Sequence, residues 1–131
     1  MTKAPRIRVL LVDDHSLFRQ TLRSLLAPYP NLELVGEASD GHEAVESVAR
    51  LQPSVVVMDI HLQRMMDGIA ATHLITSQNP GVAVVGLSCD TRQYVVSAMQ
   101  QAGASEVLAK EQGADDVYGA IQRASASMPD E

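Results

Sequence analysis

The sequence holds a single cysteine, Cys89, in 131 residues. One thiol excludes an internal disulfide framework and a zinc site built from cysteines. No apolar run approaches the ~20 residues of a membrane span. Met1 to Arg8 carries basic residues but no apolar run leading to a small-residue cleavage site, so no signal peptide is expected. Positive charge is scarce: 10 Lys and Arg stand against 16 Asp and Glu, a net charge of −6. That speaks against a nucleic-acid surface spread over this chain. Repeats, low-complexity segments, a Gly-x-Gly-x-x-Gly loop and a Walker loop are all missing. What is present is ordinary for a globular protein, with 46% hydrophobic and 20% charged residues. At ~150 residues per domain the length fits one domain, which buries roughly two-thirds of its unfolded surface. A soluble, cytoplasmic single domain is expected.

Short apolar runs alternate with amphipathic stretches five times over. The first run is Ile7 to Val12. Ser16 to Ala27 then places Leu17, Phe18, Leu22, Leu25 and Leu26 on one helical stripe, closed by Pro28 and Pro30. Leu32 to Val35 alternates as a half-buried strand does. Asp40 and Glu43 form a capping box for a helix through Leu51. Ser54 to Asp59 is β-branched and too short for a helix. The spacing predicts a helix from Asp67 to Gln78, stopped at Asn79-Pro80-Gly81, and a strand over 82–87. Thr91 to Ala102 reads as a helix with Tyr94, Val95, Ala98 and Met99 inward and Gly103 at its C-terminal cap. Glu106 to Ala109 is a short last strand, and Asp115 to Ala126 a last helix with Val117, Ile121 and Ala124 on its apolar face.

Strand and helix in strict alternation mean a parallel sheet covered on both faces. The first, third and fourth runs are almost continuously apolar, as central strands are; the second alternates and the fifth is short, as edges are. That gives an α/β doubly wound sheet of order 2-1-3-4-5, the flavodoxin-like (βα)5 arrangement, with its switch point between strands 1 and 3.

Ligands of open parallel sheets bind beyond the strands' carboxyl ends. Asp13 and Asp14 follow the first strand, Asp59 ends the third, Ser88 follows the fourth and Lys110 the fifth. Residues scattered along the chain thus converge at one edge. Three carboxylates packed together raise one another's pKa, and a hard divalent cation relieves the conflict. Magnesium suits oxygen donors and works beside phosphate. A carboxylate attacks phosphorus to form an aspartyl phosphate, and phosphoryl transfer needs cations and donors around the moving oxygens. Asp59, beside the switch point and opposite Asp13 and Asp14, is the best nucleophile.

The segments Leu11-Val12-Asp13-Asp14-His15, Val57-Met58-Asp59-Ile60, Asp67 to Thr72, Leu87-Ser88 and Leu108-Ala109-Lys110 together resemble the receiver domain of two-component response regulators. The resemblance covers about residues 6–125 and leaves 126–131 as a tail or the start of a linker. Asp13 to Arg19, Ser39-Asp40-Gly41, Tyr94-Val95, Ala102-Gly103-Ala104 and Lys110-Glu111 look like the NarL/FixJ (LuxR-type) subfamily. The resemblance implies a phosphoacceptor at Asp59. It implies magnesium on Asp13, Asp14, Asp59 and the His61 backbone carbonyl. Lys110 would contact the phosphoryl group and Ser88 would be the switch hydroxyl. The implied partners are a sensor histidine kinase or phosphotransfer protein and a C-terminal helix-turn-helix output domain that this sequence does not contain. A homodimer is left open. No dedicated enzyme is implied, only self-phosphorylation from small donors and autodephosphorylation.

Three departures stand out. The proline usual after the phosphoacceptor is missing, and the loop Ile60 to Met66 is one residue longer. Val107 stands where receivers usually carry an aromatic switch residue, so the usual ring coupling to Ser88 is not expected; the change would stay local or pass through the last two helices by a different route, with weaker two-state coupling. Glu111 replaces the common cis-proline, so a trans bond is expected there. The competing readings are a degenerate receiver acting by contact alone and an aspartyl-phosphate phosphatase. The second is weakened by His61 where a second aspartate would serve as general acid. A flavin site is disfavoured because Asp13 and Asp14 repel phosphate. A zinc pair of His15 and His61 and a redox role for Cys89 are both less expected than plain loop residues, with His61 bordering the path of a hydrolytic water. The pair Met65-Met66 reads as loop packing.

Overall fold

The computed structural model describes residues 6–62 and 66–127. Its elements are β1 (Ile7–Val12), α1 (Ser16–Leu26), β2 (Leu32–Ala38), α2 (Gly41–Leu51), β3 (Val55–Asp59), α3 (Gly68–Gln78), β4 (Ala83–Ser88), α4 (Gln93–Gln101), β5 (Glu106–Ala109) and α5 (Ala114–Ser127). The strands form one parallel sheet in the order β2-β1-β3-β4-β5, as the run pattern predicts.

Strand side chains point alternately to opposite faces, and the core divides accordingly. Leu10, Val12, Val56, Met58 and Val84 pack with Val48, Ala71, Ile75, Val95 and Met99 of α2, α3 and α4. Val9, Leu11, Val55, Val57, Val85 and Leu87 pack with Leu22, Leu26, Val117 and Ile121 of α1 and α5. Each fully buried aliphatic side chain contributes roughly 1.5–3 kcal/mol. Every residue of β3 and β4 is buried, whereas the edge strands β2 and β5 are partly exposed.

Local signals act largely as expected. The Asp40 carboxylate accepts from Glu43 N at 2.8 Å, and Asp67 caps α3 by accepting from Ala70 N at 2.9 Å. The return arm of the capping box falls one residue early: Glu43 Oε1 accepts from Ser39 N and Ser39 Oγ. Gly103 ends α4 at φ +120°, a conformation that favours glycine.

Some assignments shift. The stripe on α1 is Phe18, Leu22 and Leu26, spaced by four; Leu17 and Leu25 lie off it and are 75% and 52% exposed. On α4 only Val95 and Met99 are buried, while Tyr94 is 63% exposed beneath the Arg92 guanidinium, 4.9 Å from its ring centroid. β2 runs three residues beyond Val35, to Ala38, after a register shift opposite Val9 and Leu10. α5 extends through Ser127, so residues 126 and 127 are helical; the rest of the expected tail, like Met65 and the centre of the lengthened loop, lies outside the described residues.

Candidate functional site

The sheet brings the five expected side chains to one edge. Asp13 and Asp14 leave β1, Asp59 and Ser88 end β3 and β4, and Lys110 follows β5. Asp13, Asp59 and Ser88 are 4%, 2% and 0% exposed.

The two buried carboxylates are held alike. Asp13 Oδ1 accepts from His15 N at 2.8 Å, and Asp59 Oδ1 accepts from His61 N at 3.2 Å. Each oxygen is thereby fixed by the amide two residues on, which leaves Oδ2 of each facing Lys110. Lys110 Nζ lies 2.7 Å from Asp13 Oδ2 and 3.4 Å from Asp59 Oδ2. The Arg19 guanidinium donates to the Asp13 carbonyl and, at 2.7 Å, to Glu37, fixing α1 against β2. On the Asp59 side, Ile60 N donates to Leu87 O and Gly68 N to Ile60 O, each at 3.0 Å.

Burial pushes the Asp59 carboxyl above its ordinary pKa, and the Asp13 carboxylate adds to this; Lys110 and the His61 amide only partly offset them. Burial pulls Lys110 down, but Asp13 and Asp59 outweigh it, so the lysine sits above its ordinary value and is charged.

Ser88 is buried at the edge but turned into its own loop. Its hydroxyl donates to the Asp90 carbonyl at 2.6 Å and accepts from Asp90 N at 2.9 Å. Bidentate pairing with Arg92 holds the Asp90 carboxyl down to about 2. Val107 packs into the core beside Met99 and pairs with Gly86 across the sheet. The Lys110–Glu111 bond is trans, as the missing proline predicts. His61 and Cys89 are exposed.

Two neighbours read differently from the sequence, His15 as half of a pair with His61 and Phe18 as part of the α1 stripe, stand at the site. His15 Nδ1 lies 3.4 Å from Asp13 Oδ1 and 3.2 Å from Asp14 Oδ1. Phe18 sets its ring 4.5 Å from Lys110 Nζ. Both are near Asp14 in sequence, but the approach of the Phe18 ring to Lys110 rests on its rotamer and carries no spacing signal.

The donor set fits a hard divalent cation. Ligand atoms of Asp13, Asp14, His15 and Asp59 all lie within 4.8 Å of one another. Asp59 Oδ2 is buried with Lys110 Nζ 3.4 Å away. Three carboxylates against one ammonium leave about two negative charges in excess, which oxygen-seeking magnesium balances better than a softer metal does.

Comparison with known proteins agrees with this architecture. The response regulator receiver domain model matches residues 9–122. The transcriptional regulatory protein LiaR of Bacillus subtilis is 37% identical over 123 residues, covering 94% of this chain and 58% of LiaR. A protein-glutamate methylesterase/protein-glutamine glutaminase of Geobacter metallireducens is 44% identical over 110 residues, covering 82% of this chain and 31% of that protein. Among solved structures, the receiver domain of the response regulator NarL from Mycobacterium tuberculosis aligns with a TM-score of 0.90 at 27% identity, covering 95% of this chain and 99% of that one. The chain belongs to the response regulator receiver domain family of two-component signalling, and its likeness to NarL-type regulators is borne out. It spans only part of the curated relatives it matches, 58% of LiaR and 31% of the methylesterase. Among the described residues, no helix is long and apolar enough to cross a membrane.

Proposed function

We propose that this receiver takes a phosphoryl group onto Asp59 from a phosphohistidine of a sensor histidine kinase or phosphotransfer protein in the cytoplasm. The observation that carries the reading is the state of Asp59. One oxygen is tied to the His61 amide; the other is buried and turned toward Lys110 but lies 3.4 Å from it, against 2.7 Å for the like-placed Asp13 oxygen, so Asp59 is the less fully answered of the two. In the transfer, Asp59 Oδ2 forms a bond to phosphorus as the bond from phosphorus to the donor imidazole nitrogen breaks. The electron pair stays on that nitrogen, which picks up a proton.

Asp13, Asp14, Asp59 and the His61 carbonyl would hold magnesium. When bound it supplies positive charge against the phosphoryl oxygens. Lys110 would supply a second cation beside Asp59, and its charge is secured by the pairing with Asp13. Ser88 must give up its bond to the Asp90 carbonyl before its hydroxyl can answer the added charge. With Val107 unable to follow, that movement stays local to the loop from Ser88 to Arg92 or passes through the last two helices by a different route. The output is a partner or a C-terminal domain; a helix-turn-helix module is the form that the NarL/FixJ resemblance implies. The chain itself does no separate enzymatic work.

The test is intact mass after incubation with phosphoramidate and magnesium. One phosphoryl adduct, abolished by chelator, supports the reading; no adduct under conditions that phosphorylate another receiver rejects it.

A further inference from the structure

Lys110 has two kinds of neighbour. On one side are the carboxylates of Asp13 and Asp59. On the other is Phe18, on the first turn of α1, with its ring centroid 4.5 Å from Nζ. The ring also walls a groove between α1 and α5 of about 210 Å3, lined by Leu22, Leu25 and Val117 and reached by Lys110 itself. The lysine side chain is only 10% exposed. A largely dry ammonium beside an aromatic face is the case in which the ring's negative quadrupole counts most.

We propose that Phe18 is a positioning residue for Lys110, its ring holding the ammonium at the carboxylate edge from the groove side. The inference rests on the role given to Lys110 in the transfer to Asp59. Asp13 draws the ammonium toward β1, and that carboxylate is also a member of the candidate metal-binding set. Phe18 stands outside that set, so its hold does not compete with a metal. A leucine would fill the same space against Leu22 and Val117 but offers no negative face. The ammonium could then swing into the groove toward Thr21 and Gln112.

The composition makes this testable without a packing change. Phe18 is the single phenylalanine and Lys110 one of two lysines, the other being Lys3. Replacing phenylalanine throughout by mono-, di- and trifluorophenylalanine drains the ring face at one site while nearly preserving its shape. The rate of Asp59 phosphorylation by phosphoramidate should fall stepwise, by about ten-fold over the series. Phe18→Tyr should keep the rate, and Phe18→Leu should lose as much as the trifluoro protein. In the unmodified chain, labelled lysine should show the ε-protons of Lys110 shifted upfield of those of Lys3 by the ring current. That shift should vanish in Phe18→Leu and persist in Phe18→Tyr. A flat rate across the fluorinated series, or unshifted ε-protons, overturns the proposal. An adduct that fails to form on the unmodified chain, or survives Asp59→Asn, instead overturns the phosphoacceptor reading, and the ring-current shift then decides Phe18 by itself.

Discussion

Lys110 is held closer to Asp13 than to Asp59, at 2.7 Å against 3.4 Å. The lysine therefore neutralises Asp13 first and leaves Asp59 buried with its charge only partly answered. Burial and the Asp13 carboxylate keep the Asp59 pKa above its ordinary value, so the ionised form destabilises the fold at neutral pH. Asp59→Asn removes that charge and should raise Tm at pH 7. Each kcal/mol gained corresponds to roughly 3 °C in a chain of this size. The sign reverses the usual carboxylate case. The penalty is complete above the raised folded pKa and fades as pH falls toward the ordinary aspartate value. The gap between variant and parent should therefore close in mild acid. Thermal unfolding of both proteins across that window checks it, and a less stable Asp59→Asn at pH 7 would contradict it.

Gly68 has no room for a side chain. A Cβ there would stand 2.1 Å from the Asp59 carbonyl oxygen and 2.7 Å from Ile60 Cα, both backbone atoms that cannot swing aside. Gly68→Ala should destabilise by about 1–3 kcal/mol and slow phosphorylation, because the strain falls on the residue that carries the nucleophile. Urea unfolding and the phosphoramidate rate report the two effects. Gly81→Ala, at a position with open space around it, is the control.

Glu37 links β2 to α1 through Arg19 at 2.7 Å and Arg23 at 2.6 Å. Burial alone would raise its pKa, but the two guanidinium groups outweigh it and set it below the ordinary value. Its contribution is present above the unfolded pKa and lost as pH falls through the lower folded one. Glu37→Gln should cost on the order of 1 kcal/mol at pH 7 and progressively less in acid. Urea midpoints at pH 7 and in acid test this, and a cost that persists below the folded pKa would contradict it.

Asp14→Ala should weaken magnesium binding about ten-fold or more, ~1.4 kcal/mol, and His15→Ala by less. Although the His15 ring sits in the cluster, a hard cation draws on carboxylate charge before neutral imidazole. Magnesium titration followed by amide shifts would show it, and His15→Ala as the weaker binder would reverse the ligand choice.

The sheet order was legible because strand burial leaves a simple signature: β3 and β4 carry no charged residue before Asp59 and Ser88 at their ends, and β2 does. The position of each candidate residue followed from that order, since parallel strands bring their carboxyl ends to one edge. Finer placements were not legible. Leu17 and Leu25 share a loose apolar pattern with Phe18, Leu22 and Leu26, but a five-residue stripe exceeds what one helix face can bury, and α5 decides which of them it covers. Tyr94 fits a helical period yet stands outside with Arg92. The turn of Ser88 toward Asp90 and the ring of Phe18 over Lys110 depend on side-chain rotamers, which spacing does not encode. His15 was weighed as half of a histidine pair, and its actual neighbours are the two aspartates before it.

The claim that Asp59 carries the phosphoryl group is tested most directly by reductive trapping. Borohydride reduces an acyl phosphate to the alcohol, converting the modified aspartate to homoserine, which peptide mass mapping locates. After treatment with phosphoramidate and magnesium, the account predicts homoserine at position 59 alone, and none in Asp59→Asn. Homoserine at Asp13 or Asp14, or an adduct that resists borohydride and maps to His15 or His61, would contradict it.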